Sequence, residues 1–235
     1  MTSKEIILQI KDLENLQTKS TLLKHGAKEP FYGVRVEDLK KIARKVKGNQ
    51  DLAIELFETK VTDAMYLAGF ICDGKKMSKD NLESWAKLSN WYFISETSVA
   101  WAAAESNYGF ELAMKWIDSK DELISVAGWA TLASLSMIKQ DKDLDLNVYE
   151  KLVARVLKEM NQSPNRVRYN MNNFLITVGG AIASLTDETV SVGNKIGKIT
   201  VNIGGVSTKV PFVKEQIEKL VKKGAIGTKK KSAKS

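Results

Sequence analysis

In VEDLKKIARKV, residues 36–46, the apolar Leu39, Ile42, Ala43 and Val46 recur at i, i+3, i+4 and i+7. That spacing lines one side of an α-helix. Similar stripes run along DLAIELF, TDAMYLAGFI, NLESWAKL, FELAMKWI and VYEKLVARVL. Residues with capping potential open several of them, as Ser78 does before KDNLESW, because a short oxygen-bearing side chain can accept a free N–H of the first turn. Short polar or glycine-containing stretches separate the stripes, which predicts antiparallel helix pairs. An internal echo, SVAWAAA at 98–104 against SVAGWATLA at 125–133, points to repeated helix pairs, although its spacing is shorter than the ~40 residues of HEAT units. The expected fold is therefore all-α, an α-solenoid of HEAT-like repeats, with a plain helical bundle as the competing arrangement.

One segment departs from the helical period. In GKITVNIGGVSTKVP, Ile199, Val201 and Ile203 alternate with polar residues, and Gly204–Gly205 supply the positive φ of a two-residue turn. A small β-hairpin near 198–210 is predicted. Pro211 then opens the last helix, PFVKEQIEKLVKK, which stops at Gly224, as proline at a first turn and glycine past a last one favour. Residues 1–224 are read as one domain and residues 225–235 as a basic, disordered tail.

Composition adds limits. A chain of 235 residues is long enough to bury a substantial core without disulfide or metal. Cys72 is the only cysteine and His25 the only histidine, which excludes an internal disulfide and any zinc site built from several such ligands. No cofactor is expected. The longest uncharged apolar-rich run, FLITVGGAIASL, is too short to span a bilayer. A cytoplasmic, monomeric protein without a membrane partner is the expectation. The net charge is +8, and the terminal KKGAIGTKKKSAKS holds six lysines and no acid, so that without it the balance falls to +2. Such an arm attracts polyanions without choosing among them.

Three stretches carry candidate chemistry. Around VEDLKKIARKVK the apolar stripe leaves Lys40, Lys41, Arg44, Lys45 and Lys47 toward solvent, where cations can meet a phosphate backbone or simply form a solvated face. In NRVRYNMNNFLITVGG the buried stripe is Val167, Met171, Phe174, Leu175 and Val178, which leaves Arg166, Tyr169, Asn170 and Asn173 on an exposed side. Those residue types bind phosphate, stack and hydrogen-bond, or serve as caps and interhelix bonds. In NWYFISETSVAW, residues 90–101, helical phase puts Trp91, Ile94, Ser98 and Trp101 along one side. Trp101 with Ala102 to Ala104 reads as close helix contact, and Trp91, at the helix start, as the more exposed ring.

FYGVRVEDLKKIARK, the NW opening of a middle helix, WIDSKDELISVAGWATLASL and NRVRYNMNNFLITVG, in that order, resemble the DNA alkylation repair enzyme family over roughly residues 5 to 185. From GKITVNIGG onward the chain resembles one subgroup of it. The resemblance implies a HEAT-like repeat fold and a basic surface that cradles duplex DNA. It also implies a pocket whose tryptophans and carboxylate hold a modified nucleotide, the carboxylate stabilising positive charge on the sugar as an alkylated purine leaves. The family pattern places an aspartate one helical turn after the tryptophan. Trp91 matches that tryptophan, but the residue four positions on is Ser95, and Glu96 is turned about 100° from it around the helix. The family arginine of the following repeat aligns near Val126, and the second pocket tryptophan near Asn173.

Three functions follow as alternatives. The first is DNA binding in a repair-related role, recognising damaged or unusual DNA with weak or no base excision, through Trp91, Ser95, Lys40, Lys41, Arg44, Lys45, Arg166, Tyr169 and Asn173. The second is an alkylpurine DNA glycosylase with Glu96 as catalytic carboxylate beside Trp91. The third is a protein-interaction solenoid with an incidental basic tail.

Overall fold

The computed structural model describes residues 1–203 and 206–234. The chain runs through α1 (Ser3–Asp12), α2 (Leu16–Lys24), α3 (Val36–Val46), α4 (Gln50–Glu58), α5 (Thr62–Ile71) and α6 (Lys79–Leu88). A composite rod follows, made of α7 (Tyr92–Ile94), a π-helical turn (Ser95–Val99) and α8 (Ala100–Glu105). Then α9 (Gly109–Trp116), α10 (Glu122–Ile138), α11 (Leu146–Glu159), α12 (Asn165–Ala181) and α13 (Thr186–Ile196) lead to β1 (Thr200–Ile203), β2 (Val206–Lys209) and α14 (Val213–Lys222).

The apolar stripes fall where expected. Leu39, Ile42 and Ala43 of α3 are buried, as are Val167, Met171, Phe174, Leu175 and Val178 of α12. Ser78 caps α6, its hydroxyl accepting the Asn81 N–H at 3.1 Å. Burying such stripes requires a second layer. One layer is the row α3, α5, the composite rod, α10 and α12, each against the next, with α4 behind α5 and α9 behind α10. The two echoing segments lie on the rod and on α10, neighbours in this row, so the echo marks successive repeats. Close approach within the row is enforced at Gly69 of α5, where an added methyl would sit 2.8 Å from the Ser98 Cα. Among the described residues, no helix is long and apolar enough to cross a membrane.

β1 and β2 pair antiparallel from Thr200 opposite Lys209 to Ile203 opposite Val206, and the Gly204–Gly205 turn lies outside the described residues. Pro211 does not begin the last helix. Phe212, in extended conformation, is its N-cap, and the helix starts at Val213.

Residues 225–234 differ from the disordered tail expected. They form a strap across the C-terminal ends of α12, α10, α8 and α5. The Gly227 N–H donates to the Gly180 carbonyl at 2.8 Å and the Lys230 N–H to the Met137 carbonyl at 2.9 Å. Lys229 reaches the Ser136 carbonyl at 2.8 Å and the Asp141 carboxylate at 2.6 Å. Further on, the Ser232 hydroxyl and Ala233 N–H donate to Glu105 at 2.6 and 3.1 Å. The Lys234 ammonium donates to the Cys72 carbonyl, and Ala233 is buried. Helix C-termini present unpaired carbonyls and partial negative charge. A lysine-rich strand laid across four of them is held by that charge, which is why this tail docks.

Candidate nucleic-acid interface

The site grows from the start of the composite rod. Trp91 is its N-cap, with φ −151° and ψ 142°, so its side chain leaves an extended residue and does not follow helical phase. Four residues later the backbone widens into the π-helical turn, where the Ala100 N–H reaches back to the Ser95 carbonyl. A π turn holds an extra residue and rephases what flanks it. As a consequence Ser95 is fully buried, with its hydroxyl 2.8 Å from that of Ser89. Glu96 instead shares a cavity of about 550 Å³ with Trp91, Tyr92, Asp63, Arg166 and Tyr169. The expected placement of Ser95 at the pocket, with Glu96 turned away, is thereby corrected.

Trp91 is also more enclosed than expected. It is 6% exposed and donates its indole N–H to the His25 carbonyl at 3.0 Å. Trp101 is the half-buried ring, bordering an adjoining depression of about 440 Å³ together with Lys40, Tyr169 and Asn173. Asp63, at the start of α5, accepts the Tyr32 and Val34 N–H groups at 2.6 and 2.8 Å. It thereby holds the 31–35 segment against the cavity.

The centre of the cavity is an ion pair between α12 and the rod. The Arg166 Nη2 lies 2.7 Å from Glu96 Oε2, and Nε donates to Oε1. Asn170 adds a third donor to Glu96 Oε1 at 2.8 Å. The guanidinium is sandwiched 3.8 Å from the ring centroids of both Tyr92 and Tyr169, within range for attraction to the ring faces. Its backbone N–H donates to Glu122 at 2.6 Å. Arg166 and Asn170 are therefore buried, contrary to the exposed side expected, while Asn173 is exposed and Tyr169 half-buried. Burial pushes the Glu96 carboxyl above its ordinary range, and the bonds from Arg166 and Asn170 oppose that push. Nearby Tyr66 is raised by burial to about 12.

The α3 cations divide between two sides. Lys40 is exposed and borders the depression beside Phe70, its ammonium 5.5 Å from that ring. Lys41 pairs with Asp38 at 2.8 Å and lies with Lys45 against Gln9 and Asp12 of α1. Arg44, one turn after Lys40, is exposed. Lys40, Tyr169 and Asn173 thus join one groove with Trp91 and Glu96, whereas Lys41 and Lys45 do not.

Repeated helix pairs that present an aromatic cavity with a buried carboxylate define the class: a HEAT-like repeat protein. Residues 6–191 match the DNA alkylation repair enzyme family, and the chain belongs to that family. It is 30% identical over 225 residues to an uncharacterized protein of Listeria innocua, covering 93% of this chain and 97% of that one. An uncharacterized protein of Listeria monocytogenes is 28% identical over the same length and coverage. A solved structure, 33% identical and superposing with a TM-score of 0.92 over 100% of both chains, represents a new family of proteins related to the HEAT-like repeat DNA glycosylases with affinity for branched DNA structures.

Proposed function

We propose that this chain is a DNA-binding protein of the repair family that recognises branched or damaged DNA and excises bases weakly or not at all. The first half is supported by family membership, by a relative of matching fold with affinity for branched DNA, and by the groove chemistry. Half-buried Tyr169 and Trp101 offer faces to an unpaired base, Asn173 offers hydrogen bonds, and Lys40 and Arg44 offer charge to the backbone. In this reading the working protein is a cytoplasmic monomer.

A single observation carries the second half: the Glu96 carboxylate is already engaged by the Arg166 guanidinium and the Asn170 amide. Excision needs a carboxylate whose negative charge faces the developing sugar cation. A carboxylate neutralised at 2.7 Å by a fixed cation has little field left to offer.

Binding titrations on duplex, four-way-junction and alkylated DNA across a salt series test the reading. Preference for the junction with a steep salt dependence supports it, and no binding to any of the three overturns it. The glycosylase alternative has its own support, because Glu96 does share the cavity with Trp91. Base release from alkylated DNA separates the two.

A further inference from the structure

The groove continues beyond Asn173. Tyr66, Glu96 and Tyr169 border both the aromatic cavity and the depression beside Trp101. Phe70 and Lys234 border that depression and a third, of about 800 Å³, at the C-terminal ends of the inner helices. The three adjoin as one path.

The far end of this path is made of lysines from separate parts of the chain. Lys47 follows α3, Lys75 lies in a short 3-10 turn (Gly74–Lys76), Lys139 follows α10, and Lys231 and Lys234 come from the strap. The lining holds two acids, Asp73 and Glu105, and both are engaged. Asp73 accepts the Lys75 N–H at 3.1 Å, while Glu105 takes the Ser232 hydroxyl, the Ala233 N–H and, at 3.4 Å, the Lys234 ammonium. Lys47, Lys75, Lys139 and Lys231 form no ion pair among the described residues. Helix C-termini alone would repel an anion. Here the strap's lysines and N–H groups already satisfy several of their carbonyls, so the free ammonium groups set the sign of the surface.

We propose that this depression is a second binding site for a nucleic-acid phosphate backbone, taken by a strand or arm that continues outward from the aromatic cavity, with the docked C-terminal strap forming one wall. A solvated charged face is the ordinary fate of scattered lysines. Convergence of four unpaired ammonium groups from four segments on one concavity, continuous with a groove that offers base contacts, favours a bound polyanion. The proposal rests on the DNA-binding reading. It adds that the protein engages the DNA at two places, which a branch satisfies and a short straight duplex does not.

The test uses the full chain carrying Lys47→Ala, Lys75→Ala and Lys139→Ala together, outside the strap and remote from Glu96. Binding to a four-way junction and to a short duplex is followed by fluorescence anisotropy over a salt series, with anionic vesicles as a third probe. The expected result is a junction slope of log affinity on log salt flattened by about 2 to 3, at ~0.9 per lost contact, with the duplex slope changing by less than about 1. Wild type that binds junctions, with a triple variant of unchanged slope and affinity, overturns this proposal alone. Loss of vesicle binding with DNA binding unchanged overturns it in favour of a membrane surface. Wild type that binds no DNA overturns the reading beneath it as well.

Discussion

Arg166 and Glu96 are 70 residues apart in sequence and joined by two parallel hydrogen bonds inside a cage of Tyr92 and Tyr169. The flat guanidinium occupies a place chemically suited to a flat cation: two aromatic faces and a carboxylate at the edge. The chain thus supplies its own cation to this pocket.

Removing that cation has a predictable cost. Breaking a buried, hydrogen-bonded pair by deleting one partner destabilises by about 3 to 5 kcal/mol, so Arg166→Ala should melt well below wild type. Millimolar methylguanidinium should restore part of the loss by refilling the cage, whereas sodium at equal ionic strength should not. Thermal melts with the two salts check this. An Arg166→Ala variant as stable as wild type would show that the pair contributes nothing.

The α3 cations should separate by side. Lys40→Ala with Arg44→Ala should flatten the salt dependence of DNA affinity by about 2 units, each phosphate contact contributing ~0.9. Lys41→Ala with Lys45→Ala should leave it nearly unchanged, because Lys41 pairs with Asp38 and both border α1 instead of the groove. Equal effects from the two double variants would contradict this division.

Cys72 reports on the strap. Burial pushes its thiol up to about 11, so at neutral pH the reactive thiolate is scarce, and alkylation should run on the order of 10²-fold slower than for a free thiol. The Lys234 ammonium bonds to the Cys72 carbonyl and lies 3.9 Å from the sulfur, where its charge favours the thiolate against the larger, opposing effect of burial. Deletion of residues 228–235 removes both the charge and the cover, and because burial is the larger effect the reaction should speed. Iodoacetamide labelling followed by mass spectrometry measures both rates. Equal rates would mean the strap does not cover this site in solution.

Much of the architecture was legible because burial imposes a period on the sequence. The stripes on α3 and α12, the Ser78 cap and the repeat echo each follow from local spacing. The site was less legible, for three physical reasons. Trp91 projects from an extended N-cap and the rod then widens into a π turn, so counting i to i+4 from Trp91 selected Ser95 where the structure presents Glu96. The Arg166–Glu96 pair bridges distant segments, which no spacing rule reveals, and the burial of Arg166 and Asn170 is a consequence of it. The lysine tail looked free because the acids and carbonyls that hold it, at Glu105, Asp141, Ser136 and Cys72, belong to helices far away in sequence.

If the bonds from Arg166 and Asn170 leave Glu96 too fully engaged to drive excision, the protein binds alkylated DNA without releasing its bases. The most direct measurement is single-turnover release of 3-methyladenine and 7-methylguanine from alkylated DNA, at protein concentrations shown to saturate binding of that DNA. Loss of one electrostatic stabiliser typically costs ~10² to 10³ in rate, so the expected result is saturated binding with release close to the spontaneous background. Robust release by wild type, abolished by Glu96→Gln with DNA binding retained, would contradict it and make Glu96 the catalytic carboxylate of a glycosylase.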